Sequence, residues 1–201
     1  MIKIINNLIC KKQQEDLNKI VNSNHFPWYF LANVLQGRDK NFKQFNNITE
    51  TYALVHTLFA LPEGVNSDFF KYFKVVTDSF EKKENIKIKD LLRIRIRRTF
   101  FIKGHNNSKY NYPHIDLPEV QNYKSLVYYF ENSDGDTIFF KEKATDNVFD
   151  LNNLSVKLRN KPKQGSAVYF DGDIYHSGNS PVDSVYRTVL NFDFTIHENN
   201  R

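Results

Sequence analysis

A mainly β chain with flanking α-helices is the fold class this sequence predicts, and three observations carry that expectation. From Ile88 onward, short β-rich runs recur between polar turns, at 91–102, 124–131, 136–141, 147–150, 154–158, 166–171 and 186–195. Many short strands with turn signals between them belong to a sandwich or a barrel. Helical periodicity is confined to two stretches ahead of that point, and eighteen Phe and eleven Tyr supply side chains large enough for a core or a pocket wall.

Taken in order, residues 2–6 read as a first strand. Two asparagines interrupt the apolar run between Met1 and Cys10, and no small residues precede Cys10, so the segment does not read as a signal peptide. Residues 11–23 form an amphipathic helix with Leu17, Ile20 and Val21 on one stripe. Phe26-Pro27-Trp28-Tyr29-Phe30 is extended, since Pro27 biases its predecessor away from helix, and its aromatic residues belong to the core. A strand at 51–59 follows. A second helix spans 67–82, capped by Ser67 or Asn66, with Phe69, Phe73, Val76 and Phe80 at helical spacing to pack on a sheet. Among the later loops, 104–113 is polar and Tyr-bearing, which predicts a flexible lid, and 142–165 holds a Lys- and Asn-rich excursion. No repeat or linker divides the 201 residues. One domain is expected, with an N-terminal helical buttress over about 1–85 and a barrel core over about 86–197.

Composition narrows the partners. A single cysteine, Cys10, excludes an intramolecular disulfide framework and fits a reducing compartment, so a cytoplasmic protein is expected. No run approaches the roughly eighteen apolar residues that span a bilayer, which argues against a membrane partner. The net charge of +5 is modest, but Arg93, Arg95, Arg97 and Arg98 alternate with Ile94 and Ile96. A strand would place three of these arginines on one face and the isoleucines on the other. That face is either solvated or the basic wall of a substrate groove that draws anions or nucleic acid. It carries no interleaved aromatic residues, so it is a poor stacking platform for bases, and nucleic acid is not the favoured partner.

The chemistry concentrates in His114-Ile115-Asp116, His176 and Arg187. Ferrous oxygenases hold iron on one face with two histidines and a carboxylate, leaving positions open for a keto acid and oxygen. In extended chain, residues i and i+2 point to one side, so His114 and Asp116 can share a metal while Ile115 turns away. His176 follows an aromatic strand into a Gly-punctuated turn. Arg187 opens the next strand, where its planar fork can clamp a carboxylate at two points. His25, His56 and His197 read as structural, and His105 is a weaker rival ligand without a carboxylate at i+2. The sequence has no Gly-rich phosphate loop, His-Glu-X-X-His helix or Gly-X-Ser-X-Gly elbow. A zinc hydrolase could use two His and one Asp, but a carboxylate clamp has no task there.

On these residues, with Val127-Tyr128-Tyr129-Phe130-Glu131-Asn132, Gly135-Asp136-Thr137, Phe170-Asp171-Gly172 and Arg187-Thr188-Val189-Leu190-Asn191, the chain resembles the 2-oxoglutarate and Fe(II)-dependent oxygenase superfamily. It is similar to small phage-encoded or marine bacterial members related to prolyl hydroxylases. The resemblance implies a double-stranded β-helix, a cupin-like jelly roll, with Fe(II) on His114, Asp116 and His176. It also implies 2-oxoglutarate as co-substrate, its distal carboxylate on Arg187 with Tyr129 assisting. O2 would be consumed and an unidentified substrate hydroxylated, a peptide residue being slightly favoured, with release of succinate and CO2. Two departures stand out: Arg95-Ile96-Arg97-Arg98-Thr99 replaces the Arg-Ile-Lys-Ala-Asn of related members, and the second arginine of the nucleic-acid demethylase branch is missing after Arg187. The rival reading is a non-catalytic β-helix binding or structural module contacting nucleic acid through the Arg93–Arg98 strand, and the intact ligand set counts against it.

Overall fold

Alternation along the strands sorts the side chains into two layers of core. The computed structural model describes residues 1–32, 51–106, 108–146 and 153–197. In chain order the elements are β1 (Ile2–Ile5), α1 (Lys11–Val21), β2 (Tyr29–Leu31), β3 (Ala53–Ala60), β4 (Gly64–Val65), α2 (Phe70–Glu84), β5 (Ile88–Phe100), β6 (Lys124–Tyr129), β7 (Thr137–Lys143), β8 (Val156–Asn160), β9 (Ala167–Asp171), β10 (Ile174–Gly178) and β11 (Tyr186–Ile196). The strand expected at 147–150 lies outside the described residues.

Two antiparallel sheets result. The larger runs β1-β9-β6-β11-β5-β3-β2 with β4 paired to β3, and the smaller runs β10-β7-β8. An isolated antiparallel bridge between His114 and His176 lays a further extended segment beside β10. The outer face of the large sheet presents Ile94 and Ile96 of β5, Leu126 and Tyr128 of β6, Tyr169 of β9, and Leu190, Phe192 and Phe194 of β11. These pack against Leu17 and Val21 of α1 and Phe73, Val76 and Phe80 of α2. Residues of opposite parity, Val127, Tyr129, Val168, Phe170 and Val189, meet Phe139 and Ile174 of the small sheet. A slip of one residue would exchange the two sets, so burial on both faces fixes the register.

Tyr29 and Phe30 are exposed rather than part of the core, unlike Phe26. Three further expectations are adjusted. Helix α2 starts at Phe70 rather than 67, because Ser67 Oγ accepts the Phe69 N–H (3.2 Å) in a preceding turn and pairs with His56 Nε2 (2.8 Å). It runs on to Glu84, until Asn85 adopts a left-handed conformation (φ 52°). The second adjustment is that β5 starts at Ile88. The third concerns the lid expected at 104–113, whose C-terminal half is tied down. Tyr110 packs on Phe140 at 5.3 Å, Asn111 N–H donates to Gly178 O (3.1 Å), and Thr51 Oγ1 donates to Asn111 Oδ1 (3.0 Å).

Just past β6, the Glu131 carboxylate accepts the Thr188 N–H, and burial, opposed by that bond and by Arg98, pushes it up to about 7 from 4.5. Between those values the folded chain holds a proton that the unfolded chain has released, so this group's contribution to stability declines as pH rises through the window. Glu131→Gln is expected to flatten that decline in thermal melts taken across the window. Parallel wild-type and variant curves would refute the assignment.

Candidate metal centre and its cavity

Two histidines become neighbours because the extended segment at residue 114 bridges β10: His114 N–H donates to His176 O (2.9 Å) and His176 N–H to His114 O (3.0 Å). Their ring centroids lie 4.7 Å apart. Each Nδ1 faces a backbone carbonyl, Tyr112 O for His114 (3.0 Å) and Ile174 O for His176 (3.1 Å). A neutral imidazole in that setting keeps its proton on Nδ1 and offers the Nε2 lone pair. Both Nε2 atoms face Asp116, at 3.8 Å from Oδ1 for His114 and 3.2 Å from Oδ2 for His176. The three ligand atoms all lie within 4.8 Å of one another. Ile115 turns away and lines a separate cavity with Pro118 and Tyr123. His105 lies elsewhere, against Asn179 Oδ1 at 2.5 Å.

The electrostatics suit a cation. Burial first, then the neighbouring His176, pushes His114 down to about 3, so it is neutral and ready to ligate. Burial would raise the Asp116 carboxyl, but Arg93 holds it well below the ordinary carboxylate range. Arg93 Nη2 donates to Asp116 Oδ1, and its Nε donates to Asp193 Oδ2 (2.9 Å). Asp193 is fully buried, accepts Ser125 Oγ–H (2.7 Å), and is pushed up to about 7 by burial and by Asp116 against the pull of Arg93. Asn191 Nδ2 donates to Asp116 Oδ2 (3.1 Å).

Removing Arg93 would strand a buried carboxylate. Arg93→Met is therefore expected to destabilise the chain by about 3–5 kcal/mol in denaturant titrations, with partial recovery on adding Asp193→Asn. A loss under about 1 kcal/mol would show that the Arg93–Asp193 pair is not structural.

Strand pairing explains the arginines. β5 lies antiparallel to β11 with Arg93 opposite Asp193, Arg95 opposite Asn191, Arg97 opposite Val189 and Thr99 opposite Arg187. Arg93, Arg95, Arg97 and Arg187 therefore line one cavity with His114, Asp116, His176 and Thr137. These three arginines of β5 face the cavity, on the side of the strand away from the helices. Arg98 alone turns outward, between the rings of Trp28 (4.8 Å) and Tyr186 (4.4 Å).

Arg187 is 4% exposed and donates from Nη2 to Thr137 Oγ1 (2.5 Å). Its Nε is buried without a partner among the described residues. A Cβ on Gly178 would stand 3.1 Å from Nη1, so the missing side chain leaves the guanidinium its place. Tyr129 is fully buried one layer behind: its hydroxyl donates to Thr137 Oγ1 (2.8 Å) and accepts from Asn160 Nδ2 (2.9 Å), while its ring lies 5.8 Å from the guanidinium. Thr137 thus links Arg187 to Tyr129. Sequence reading placed Thr137 among the residues that carry the resemblance but assigned it no role of its own. Asn191 was detectable, since it shares the inward parity of Arg187 four residues earlier.

The architecture has close counterparts. A protein described as a 2OG-Fe(II) oxygenase family oxidoreductase from Burkholderia pseudomallei superposes with a TM-score of 0.65 over 98% of this chain and 85% of its own, at 12% identity. The chain has the fold of the 2-oxoglutarate and Fe(II) oxygenases. A Trichoplax adhaerens prolyl hydroxylase, solved with a peptide fragment of the hypoxia inducible factor oxygen degradation domain, gives a TM-score of 0.58 at 14% identity, covering 96% of this chain and 83% of that one. HygX from Streptomyces hygroscopicus, solved with nickel, 2-oxoglutarate and hygromycin B, gives 0.59 at 12% identity, covering 96% and 82%. No protein-family model matches the sequence, and neither does any curated protein. Among the described residues, no helix of this fold is long and apolar enough to cross a membrane.

Proposed function

We propose that the chain is a non-haem Fe(II) and 2-oxoglutarate-dependent dioxygenase. The observation that carries this reading is the convergence of His114, Asp116 and His176 in one cavity with Arg187. The donor set fits the metal, since two imidazoles and one ionised carboxylate on one side of a cavity suit ferrous iron with open positions. Buried Arg187 Nε, without a partner among the described residues, fits a carboxylate ligand.

Iron and 2-oxoglutarate bound there would supply oxygen activation, with release of succinate and CO2 and hydroxylation of a C–H bond. The protein's own residues prepare that chemistry. The Tyr112 and Ile174 carbonyls fix the histidine tautomers, and Arg93 and Asn191 orient Asp116. Arg187 is steadied by Thr137, which accepts from Tyr129, itself held by Asn160, and the guanidinium would receive the distal carboxylate. Val127 and Val189 add apolar surface to the cavity, which limits water near a reactive centre. A non-catalytic module would need neither the ionised Asp116 nor the buried clamp.

The test is succinate formation by the iron-loaded chain given 2-oxoglutarate and oxygen. Succinate proportional to 2-oxoglutarate consumed, and abolished by chelation, is expected. None from folded, iron-loaded protein would refute the reading. A narrower prediction concerns Gly178→Ala, whose methyl crowds Arg187 Nη1. It should weaken 2-oxoglutarate binding by about tenfold with metal affinity unchanged, since a small misplacement of a bidentate clamp is costly. Unaltered 2-oxoglutarate affinity would show that Arg187 does not hold it.

A further inference from the structure

We propose that the primary substrate is an anion, a carboxylate or a phosphate ester, received by Arg97 with Arg95 beside it. This deepens the dioxygenase reading and rests on it. Four guanidiniums, Arg93, Arg95, Arg97 and Arg187, line the cavity with Asp116, and Asp193 lies buried behind Arg93. Arg93 is engaged by both of those carboxylates, and Arg187 is tied to Thr137 and assigned to the co-substrate.

Arg97 is the group that nothing else explains. Among the described residues its guanidinium has no hydrogen bond and no ion pair, and its surroundings work against its charge. Burial, then Arg95, pull its pKa down to about 10; Asp116 opposes them, while Arg93 and Arg187 add to the repulsion. Binding a dication and the 2-oxoglutarate dianion would leave the local charge balance where it stands. Arg97 would still lack a partner in the loaded cavity, and a neutral substrate would leave its charge uncompensated.

Position supports the same role. Arg97 pairs with Val189, between Arg187 and Asn191 on β11, and Asn191 is the residue that holds Asp116. A group bound to Arg97 is therefore beside the metal ligands and not at a distant rim. On its other side β3 sets Val55 opposite Arg97 and Thr57 opposite Arg95, so short side chains flank both arginines. Ile94 and Ile96 lock the strand by packing on the helices behind it, which prevents the arginines from turning out to water.

The full chain, labelled with 15N-arginine and loaded with Zn(II) and 2-oxoglutarate, is titrated with sodium phosphate in one arm and sodium acetate in the other at constant ionic strength. A saturable shift of the Arg97 Nε–H signal is expected in at least one arm, and the tighter arm assigns phosphate ester or carboxylate. Arg97→Gln should weaken that binding by about tenfold while 2-oxoglutarate affinity stays within about twofold, and Arg97→Lys, which keeps the charge, should retain part of it. No saturable binding in either arm, or equal anion affinity in wild type and Arg97→Gln, would overturn the proposal. So would a loss of about tenfold in 2-oxoglutarate affinity in Arg97→Gln, which would make Arg97 part of the co-substrate clamp. Failure of the wild type to bind 2-oxoglutarate would instead remove the dioxygenase reading, and the anion titration of the zinc-loaded chain would still report on Arg97.

Discussion

His176→Ala is expected to weaken Fe(II) binding by about a hundredfold or more and to abolish iron-dependent turnover, because changes even behind the ligands of such sites cost 10–100-fold. The remaining pair, His114 and Asp116, cannot define one face of an octahedral ion. His176 is 6% exposed and sits between Phe170 (4.8 Å between ring centroids) and the His114 ring (4.7 Å), so a stability loss must be separated from a ligand loss. His176→Gln provides that control, since it fills most of the volume without an imidazole. Retention of wild-type iron affinity in both folded variants would remove His176 from the site. His105→Ala serves as the contrast and should leave iron affinity unchanged, since its ring rests on Asn179 outside the ligand group.

The second large effect concerns Arg187. Truncating one partner of a buried, hydrogen-bonded charge pair costs about 2–5 kcal/mol, so Arg187→Ala should weaken 2-oxoglutarate binding by roughly two orders of magnitude. Arg187→Lys should recover only part of this, because a point charge cannot reproduce a bidentate fork. The discriminating comparison uses an analogue lacking the distal carboxylate. Wild type should prefer 2-oxoglutarate strongly, and Arg187→Ala should show almost no preference. A preference that survives in Arg187→Ala would place the distal carboxylate elsewhere in the cavity. Iron affinity should change little in either variant, because Arg187 contacts none of the three ligands.

Which parts of this were legible in the sequence follows from what each residue type can do. The convergence of His114, Asp116 and His176 was readable because extended chain sets residues i and i+2 on one side, and His176 follows an aromatic strand into a Gly-punctuated turn. Arg187 was readable because a strand start eleven residues past His176 returns to the same mouth. The arginine strand was only half readable. Alternation shows that Arg93, Arg95 and Arg97 oppose Ile94 and Ile96, but not which side meets water. In a two-sheet sandwich with one face bare, the charged side would be the solvated one. Here α1 and α2 cover the outer face, so the isoleucines face the helices and the arginines face the cavity. No local pattern reports that cover.

Contacts made by the turn between β9 and β10 were also out of reach. Asp171-Gly172-Asp173 carries the chain from the large sheet to the small one, which is what brings His176 beside His114. Gly172 is required because a Cβ there would stand 2.4 Å from the Tyr123 ring, a residue 49 positions earlier. The tie of Asn111 to Thr51 and Gly178 is non-local in the same way, and it limits the loop over 104–113 where composition alone suggested a lid.

The central claim is that metal and 2-oxoglutarate share one site, and calorimetric titration of 2-oxoglutarate with and without Mn(II), under otherwise identical conditions, tests it most directly. Shared ligation predicts that the metal tightens 2-oxoglutarate binding by about tenfold or more, with the reciprocal tightening of metal binding that linkage demands. The effect should vanish in His176→Ala. Equal 2-oxoglutarate affinity with and without metal, in wild-type protein that binds both, would contradict the account.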